Sequence, residues 1–477
     1  MAETGVQSAH IHERARAVLR DARLQDAYQS STLRLYGKRL HGIEGVPGFE
    51  RLRDRGQAIK RDVIEHLDTY VDQFAASVER HGGQVHWAAT GDEVCAVVRE
   101  IAERAGVREF VKAKTMVGEE VELGASLAAA GIRALETDLG ELIVQLAGDR
   151  PAHIVAPAIH KTRQDVSDLF VEHLHSERTT EPERLTAIAR RTLRESFARA
   201  EMGLSGANFA VAETGTIVLV ENEGNIRFCT TMPRIQVALV GIEKIIPRLS
   251  DLAVFLRLLG RSGTGQKLTA YTSLLTGPRR PGEDGPDELH VVMVDNGRTA
   301  ALADKVMREA LYCIRCGACL NACPVYRKIG GHAYGWVYSG PIGALVTPQF
   351  NGIGSARELP FASSLCGACR EVCPVRINIP DLLLHLRAEA QKHPAPQASQ
   401  GAARLERASM RVWAWAMQRP WVYSLGGRLL RLAQPLLAHQ GWIHHIPLFP
   451  VSGWTEGRDF PALAAKTFHE RWKKIQK

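Results

Sequence analysis

The sequence predicts an α/β domain with a parallel sheet, followed by a mainly helical, cysteine-rich domain and a helical C-terminal extension. Three observations carry this. Strand-like and helix-like segments alternate from residue 84 to about 300, the pattern of βαβ units. Seven of the nine cysteines fall between 313 and 373. A Pro/Ala/Gln-rich run, HPAPQASQG (393–401), then separates off a basic, tryptophan-rich tail. The boundaries read from these shifts are 1–83, 84–300, 301–392 and 393–477.

In chain order, residues 1–80 read as helical. Ile59, Val63, Leu67, Tyr70, Phe74 and Val78 recur at three- and four-residue intervals as one apolar stripe, and Gly82-Gly83 supplies a stop. QVHWAAT reads as a strand, DEVCAVVREIAERAG as a helix, REFVKAK as a strand and GEEVELGASLAAAG as a helix. RALETD and HIVAPAI are further strand candidates. Residues 184–200 form an amphipathic helix whose Arg190, Arg191, Arg194 and Arg199 read as a solvated face. NFAVAE and TIVLVE flank Thr214-Gly215, and ENEGN reads as a hairpin joining TIVLVE to IRFCTT. QVALVG and HVVMVD are strands, with the Pro/Gly-rich stretch 276–288 between them as a surface loop. Past the linker, Leu405, Ala408, Val412 and Trp415 share one helical face. Val422, Leu425, Leu429 and Leu432 share another, with Pro420 and Pro435 as breakers.

Composition narrows the class. At 477 residues, 45% hydrophobic and 23% charged, the chain is globular rather than disordered or membrane-embedded. No apolar run reaches membrane-spanning length, and no secretory leader is visible, so the expected location is the cytoplasm. The net charge of +8 lies entirely in residues 401–477. A membrane surface, a partner protein or a nucleic acid could each meet such a tail. Partner docking or core-capping ranks first and peripheral membrane contact second; no nucleic acid is expected, because no other motif supports it.

The cysteines carry the chemistry. Cys313-x2-Cys316-x2-Cys319-x3-Cys323-Pro324 is the run that holds iron–sulfur clusters in bacterial ferredoxins. Three close thiolates wrap one cluster, and the fourth, before proline, reaches a second. The run recurs at 363–374, with Ser363 where the first cysteine would stand, then Cys366, Cys369, Cys373 and Pro374. Crossed ligation assigns Cys313, Cys316, Cys319 and Cys373 to one [4Fe-4S] cluster, and Cys323, Cys366 and Cys369 to the other. The fourth ligand of the second cluster is open between Ser363, another residue, water and a partner. Zinc sites pair knuckles or add histidine, which fits this spacing poorly. Arg315, Arg327, Lys328, Arg370 and Arg376 flank the cysteines and would favour the reduced cluster, unless they point to water. Forty-two residues separate Cys323 from Cys366, enough for a helical insertion. Cys95 and Cys229 read as core residues.

The segments MVGEEVELG (116–124), 136–163, SGANFAVAETGTIVLVENEGN (205–225), VDNGR (294–298), YGWVYSGPIGAL (334–345) and both cysteine runs resemble the lactate-utilization protein B family of iron–sulfur proteins. That resemblance implies a LUD domain over 84–300, similar to sugar-phosphate isomerases and CoA transferases. It also implies an electron-transfer subunit that works with two partner subunits in oxidising L-lactate to pyruvate, rather than a catalyst alone. The alternatives are an isomerase- or CoA-transferase-type enzyme with an attached redox domain, and a redox-sensing regulator. Within the α/β half, His160, Lys161 and Arg163 could grip a carboxylate. Asp138, Glu141 and Glu213 could move protons, and Asn208 with the Thr214 turn could approach a ligand; turn chemistry and surface ion pairs explain each equally well. No G-x-G-x-x-G follows a strand, so a hydride acceptor is expected on another protein.

Overall fold

The computed structural model describes residues 5–393, 400–447, 452, 455 and 458–475. The chain divides into two compact units, 1–393 and 394–477.

Four helices open the first unit: Ile11–Arg20, Ala22–Glu44, Phe49–Glu65 and Leu67–Arg80. Asp21 caps the second by accepting from the amides of Arg23 and Leu24. The apolar stripe spans two helices, broken at His66. Five of its residues are core, while Tyr70 is half-buried and donates its hydroxyl to Asp62 at 2.7 Å.

The main sheet has six strands, all parallel, in the order β3-β2-β4-β7-β10-β1. They are β1 (Gln84–Ala88), β2 (Glu109–Lys112), β3 (Arg133–Glu136), β4 (Met202–Ser205), β7 (Ile235–Gly241) and β10 (Glu288–Val294). β7 and β10 are near-continuous apolar runs because both faces are covered. Val237, Leu239, Val292 and Val294 pack with Val94, Val98 and Leu127 on one face. Ala238, Val240, Val291 and Met293 face the other way, into a core shared by the N-terminal helices and the cysteine-rich segment. A second, mixed sheet, β8-β5-β6-β9, holds β5 (Phe209–Val211), β6 (Thr216–Glu221), β8 (Ile245–Ile246) and β9 (Tyr271–Leu275).

Three expectations change. The helix expected over 118–131 is two, Met116–Glu120 and Leu123–Ala129, parted by Glu122 at φ 52°. The expected hairpin after β6 is a turn into the helix Asn225–Thr231. Gly224 turns the chain at φ 85°, and the Glu221 carboxylate accepts from the amides of Ile226 and Arg227, groups a helix start leaves unpaired. HIVAPAI is a loop, not a strand. Pro151 and Pro157 lack amide hydrogens, and His153 Nδ1 accepts from Val155 and Ala156 at 3.0 and 3.1 Å, which replaces a ladder.

That loop makes stability depend on pH. His153 is buried, its ring spanning two amides and Asn321, and burial pushes its pKa down to about 3. The unfolded chain takes up a proton near pH 6.5 that the folded chain refuses. This contribution is complete above pH 6.5 and falls as pH drops toward 3, by up to about 1.4 kcal/mol per pH unit. Anaerobic denaturant titrations at pH 7 and 5.5 should show the slope, and His153→Gln should flatten it.

The second unit contains helices Gln400–Met417, Pro420–Ala433 and Phe468–Ile475, and a short antiparallel pair, Trp442–Ile443 with Phe460–Pro461. Pro420 opens the second helix rather than only ending the first. Leu405, Val412, Trp415, Leu425, Leu429 and Leu432 are exposed, so these faces are not core. Most of the linker, 394–399, lies outside the described residues. Among the described residues, no helix is long and apolar enough to cross a membrane.

Candidate metal centre

The two cysteine runs fold as structural repeats. In the first, Arg315 sits at φ 57° and donates its amide to Cys313 Sγ at 3.4 Å. Gly317 follows at φ 74°, then the short helix Ala318–Ala322, and Pro324 opens the next helix. In the second, Leu365 sits at φ 55° and donates its amide to Ser363 Oγ at 3.1 Å. Gly367 follows at φ 86°, then the helix Ala368–Val372. Cys323 and Cys373 share the same extended conformation, with ψ 120° and 118°. Paired left-handed residues curl each loop around a centre, which few side chains tolerate. Ser363 therefore occupies the backbone position of Cys313.

The halves cross. Cys313, Cys316, Cys319 and Cys373 line one cavity, closed by Ile342, Val375, Ile377 and Ile379. Cys323 lies beside Cys366, and Cys369 beside both. Backbone amides point at the sulfurs: Tyr326 to Cys323 at 3.4 Å and Ile377 to Cys373 at 3.3 Å. Burial pushes the Cys316 and Cys369 thiols up to about 12 and Cys373 to about 11. Sulfurs so desolvated, yet served by donors, suit thiolates whose charge a metal group balances. Among the described residues, no three cysteine sulfurs lie within 4.8 Å of one another. Three thiolates on one zinc would lie ~3.8 Å apart, so the donor set fits a wide cluster and not a single ion. Cys366 is exposed while the first set is buried apart from half-buried Cys313, so the second site is the one nearer solvent.

The insertion between the runs is helical, as expected, with Pro324–Ile329 and Gly340–Phe350 packed into the core. Of the five flanking cations, Arg315 alone is buried. Its guanidinium stands over the Tyr338 ring at 4.5 Å, and 3.6 Å from Glu243. Arg327 binds the Asn321 carbonyl, Lys328 reaches Gln29, Arg376 pairs with Glu50 and Asp54, and Arg370 faces solvent. Other cations gather from afar. Lys60 donates to the carbonyls of Glu243 and Ile245, and Lys244 is buried nearby. Burial lowers Lys60 to about 7 and Lys244 to about 8. Glu243 resists burial and is held near 2 by Arg298, Lys244 and Arg315. Arg39 and Arg53 tie the N-terminal helices to the second run through the carbonyls of Val372 and Cys373, at 3.1 and 3.0 Å. Sequence reading missed both; the available signal was arginine inside an otherwise apolar helix face.

Of the α/β candidates, Asp138 and Asn208 line one cavity and the others scatter. Asp138 caps the helix Leu139–Leu146, and Glu141 pairs with Lys114 at 3.1 Å. Glu213 accepts from the Leu249 amide, and Asn208 from the Val220 amide. At Gly215 a Cβ would stand 2.6 Å from the Val78 amide nitrogen, so that turn approaches a helix and not a ligand. His160 and Lys161 already share an acid, Asp149, at 2.9 and 3.1 Å, with His332 at 3.5 Å; Arg163 is the exposed first residue of a helix. Asp149, His160 and His332 place ligand atoms within 4.8 Å, but Lys161 supplies the charge a cation would bring. Cys95 and Cys229 are buried core residues, as expected.

Comparisons with known proteins find matches along most of the chain. A LUD domain model matches residues 71–294, a 4Fe-4S dicluster domain model 309–377, and the model "Lactate utilisation protein B, C-terminal" 385–477. Lactate utilization protein B from a Geobacillus species is 40% identical over 475 residues, covering 99% of this chain and 98% of that protein. The chain belongs to the lactate utilization protein B family. The Bacillus licheniformis member is 40% identical over 450 residues, 94% of this chain and 93% of its own. A crystal structure of a DUF162 family protein from Deinococcus radiodurans aligns at 15% identity with a TM-score of 0.28, over 48% of this chain and 98% of that one. This chain therefore carries a LUD-type α/β sheet, a ferredoxin-type iron–sulfur domain and the C-terminal domain of lactate utilisation protein B.

Proposed function

We propose that this chain is an electron-transfer subunit in the oxidation of L-lactate to pyruvate. It would receive electrons from one partner protein and deliver them to another. The observation that carries the redox part is the cavity in which Cys373 of the second run joins Cys313, Cys316 and Cys319 of the first. The substrate comes from the name its relatives bear. A bound [4Fe-4S] cluster takes up and gives back one electron at a time.

On this reading the first cluster is held by Cys313, Cys316, Cys319 and Cys373. The second is held by Cys323, Cys366 and Cys369, with Ser363 Oγ at the position Cys313 fills in the first. Lactate loses two electrons and two protons, and two one-electron sites match that count. The chain's own residues exclude water from the first site, which alone would lower the potential; the amides directed at its sulfurs and the buried cations around it act against that and raise it. Exposed Cys366 makes the second site the exchange point with a partner. The cytoplasm is the proposed location, and the basic tail with its exposed tryptophans the proposed docking element.

The test is anaerobic. L-Lactate added to the cluster-loaded chain alone should leave the broad visible absorption unchanged, while dithionite bleaches it. Bleaching by lactate would place the oxidation site on this chain and sink the relay.

A further inference from the structure

A cavity of about 270 Å³ opens at the carboxyl ends of β2 and β4. From β2 the sheet continues to β3 on one side; from β4 it continues to β7 on the other. Open parallel sheets bind ligands in the crevice such a reversal leaves. Lys114 follows β2 and Asn208 follows β4, and the two loops meet closely: a Cβ on Gly206 would stand 2.9 Å from Thr115 Oγ1. The far wall is the start of the first cysteine run, Arg315 and Cys316.

Charge is graded along this cavity. Lys244 and Arg315, both buried, form its inner end. The Arg315 side chain is only 7% exposed, and its Nε and Nη1 have no hydrogen-bond partner. Asp138 and Glu223, half-buried and exposed, stand toward the mouth. Buried charges without a partner are costly, and a carboxylate seated in the cavity would bring compensating negative charge to Arg315 and Lys244. Asp138 offers acceptors to a hydroxyl, and its charge disfavours a multiply charged anion such as phosphate, while burial and Asp138 push the neighbouring Glu223 up to about 7.

We infer that this cavity binds a small monocarboxylate of the hydroxy- or oxo-acid class, with its carboxylate held by Lys244 and Arg315 beside the first cysteine set. The anion site rests on the cations and the crevice; the acid class rests in addition on the lactate reading above. The rival account is that these cations serve only to balance the cluster's charge.

Equilibrium dialysis of the full, cluster-loaded chain under anaerobic conditions separates the two. Labelled L-lactate and pyruvate are the probes, with acetate and inorganic phosphate as comparators. At least one hydroxy- or oxo-acid should bind saturably, near one per chain and more tightly than either comparator. Lys244→Met should weaken it by roughly tenfold or more, as expected for losing a charged hydrogen bond. Lys114→Met, away from the cysteines, should weaken it less while keeping full iron content, so a folding or cluster defect in Lys244→Met leaves a second reading. No saturable binding at full iron content would overturn the site. So would undiminished binding in both variants, or phosphate as the tightest ligand. Iron content and dithionite reduction are read on the same samples, so failure of the relay reading would show there independently.

Discussion

Cys373→Ala is expected to remove the first cluster, although Cys373 lies in the second run. Iron should fall from about eight to about four per chain, with one of two EPR signals lost. Cys366→Ala should remove the other signal and spare the first. The cavity shared by Cys313, Cys316, Cys319 and Cys373 motivates this. If each run held its own cluster, Cys373→Ala would damage the signal that Cys366→Ala damages. Arg53 holds the Cys373 carbonyl, and the alanine variant keeps that contact, so loss of iron need not mean loss of fold. The same series tests Ser363. Ser363→Ala leaves three thiolates at the second site and should yield a three-iron signal there. Ser363→Cys should restore four irons and shift the potential, because ligand identity tunes it. An unchanged second signal in both variants would exclude Ser363 as a ligand.

Arg298→Met is expected to cost about 3–5 kcal/mol of stability, the usual penalty for stripping one partner from a buried ion network. Arg298 is fully buried and holds Glu120 by two parallel hydrogen bonds, 2.8 and 2.9 Å, and Glu243 by a third. Its removal would leave two carboxylates, each 1% exposed, without their main cation. Tyr338 donates to Glu120 at 2.7 Å, so the damage should reach the insertion that closes the first site. Arg298→Lys keeps the charge but not the fork and should recover only part of the loss. Denaturant midpoints on cluster-loaded protein measure both. A shift under about 1 kcal/mol for Arg298→Met would show that solvent reaches the network.

Glu120, Arg298 and Tyr338 lie in three of the segments that carry the family resemblance, MVGEEVELG, VDNGR and YGWVYSGPIGAL. The sequence makes those segments recognisable without saying why they belong together. They meet around one buried ion network, and the segment 205–225 lines the adjoining cavity. The helix Asn225–Thr231 and the loop at 153–159 depart from the expected strands for a related reason. Each has β-like composition, but side-chain groups, Glu221 and His153, satisfy its backbone instead of a neighbouring strand.

By itself the sequence determined whatever depends on near neighbours. Alternating apolar segments specified the parallel sheet, and C-x2-C-x2-C-x3-C-P specified each loop around its centre, since the turn residues and thiols lie within a few positions. The motif also implied the crossed sharing of thiols and the place of Ser363; only the tertiary structure decided which arginines are buried beside them and which distant segments tie the two runs down. Those outcomes hinge on contacts between residues up to about three hundred positions apart, as from Arg53 to Cys373. Burial, which gives an unpaired charge its cost, exists only once the elements have packed.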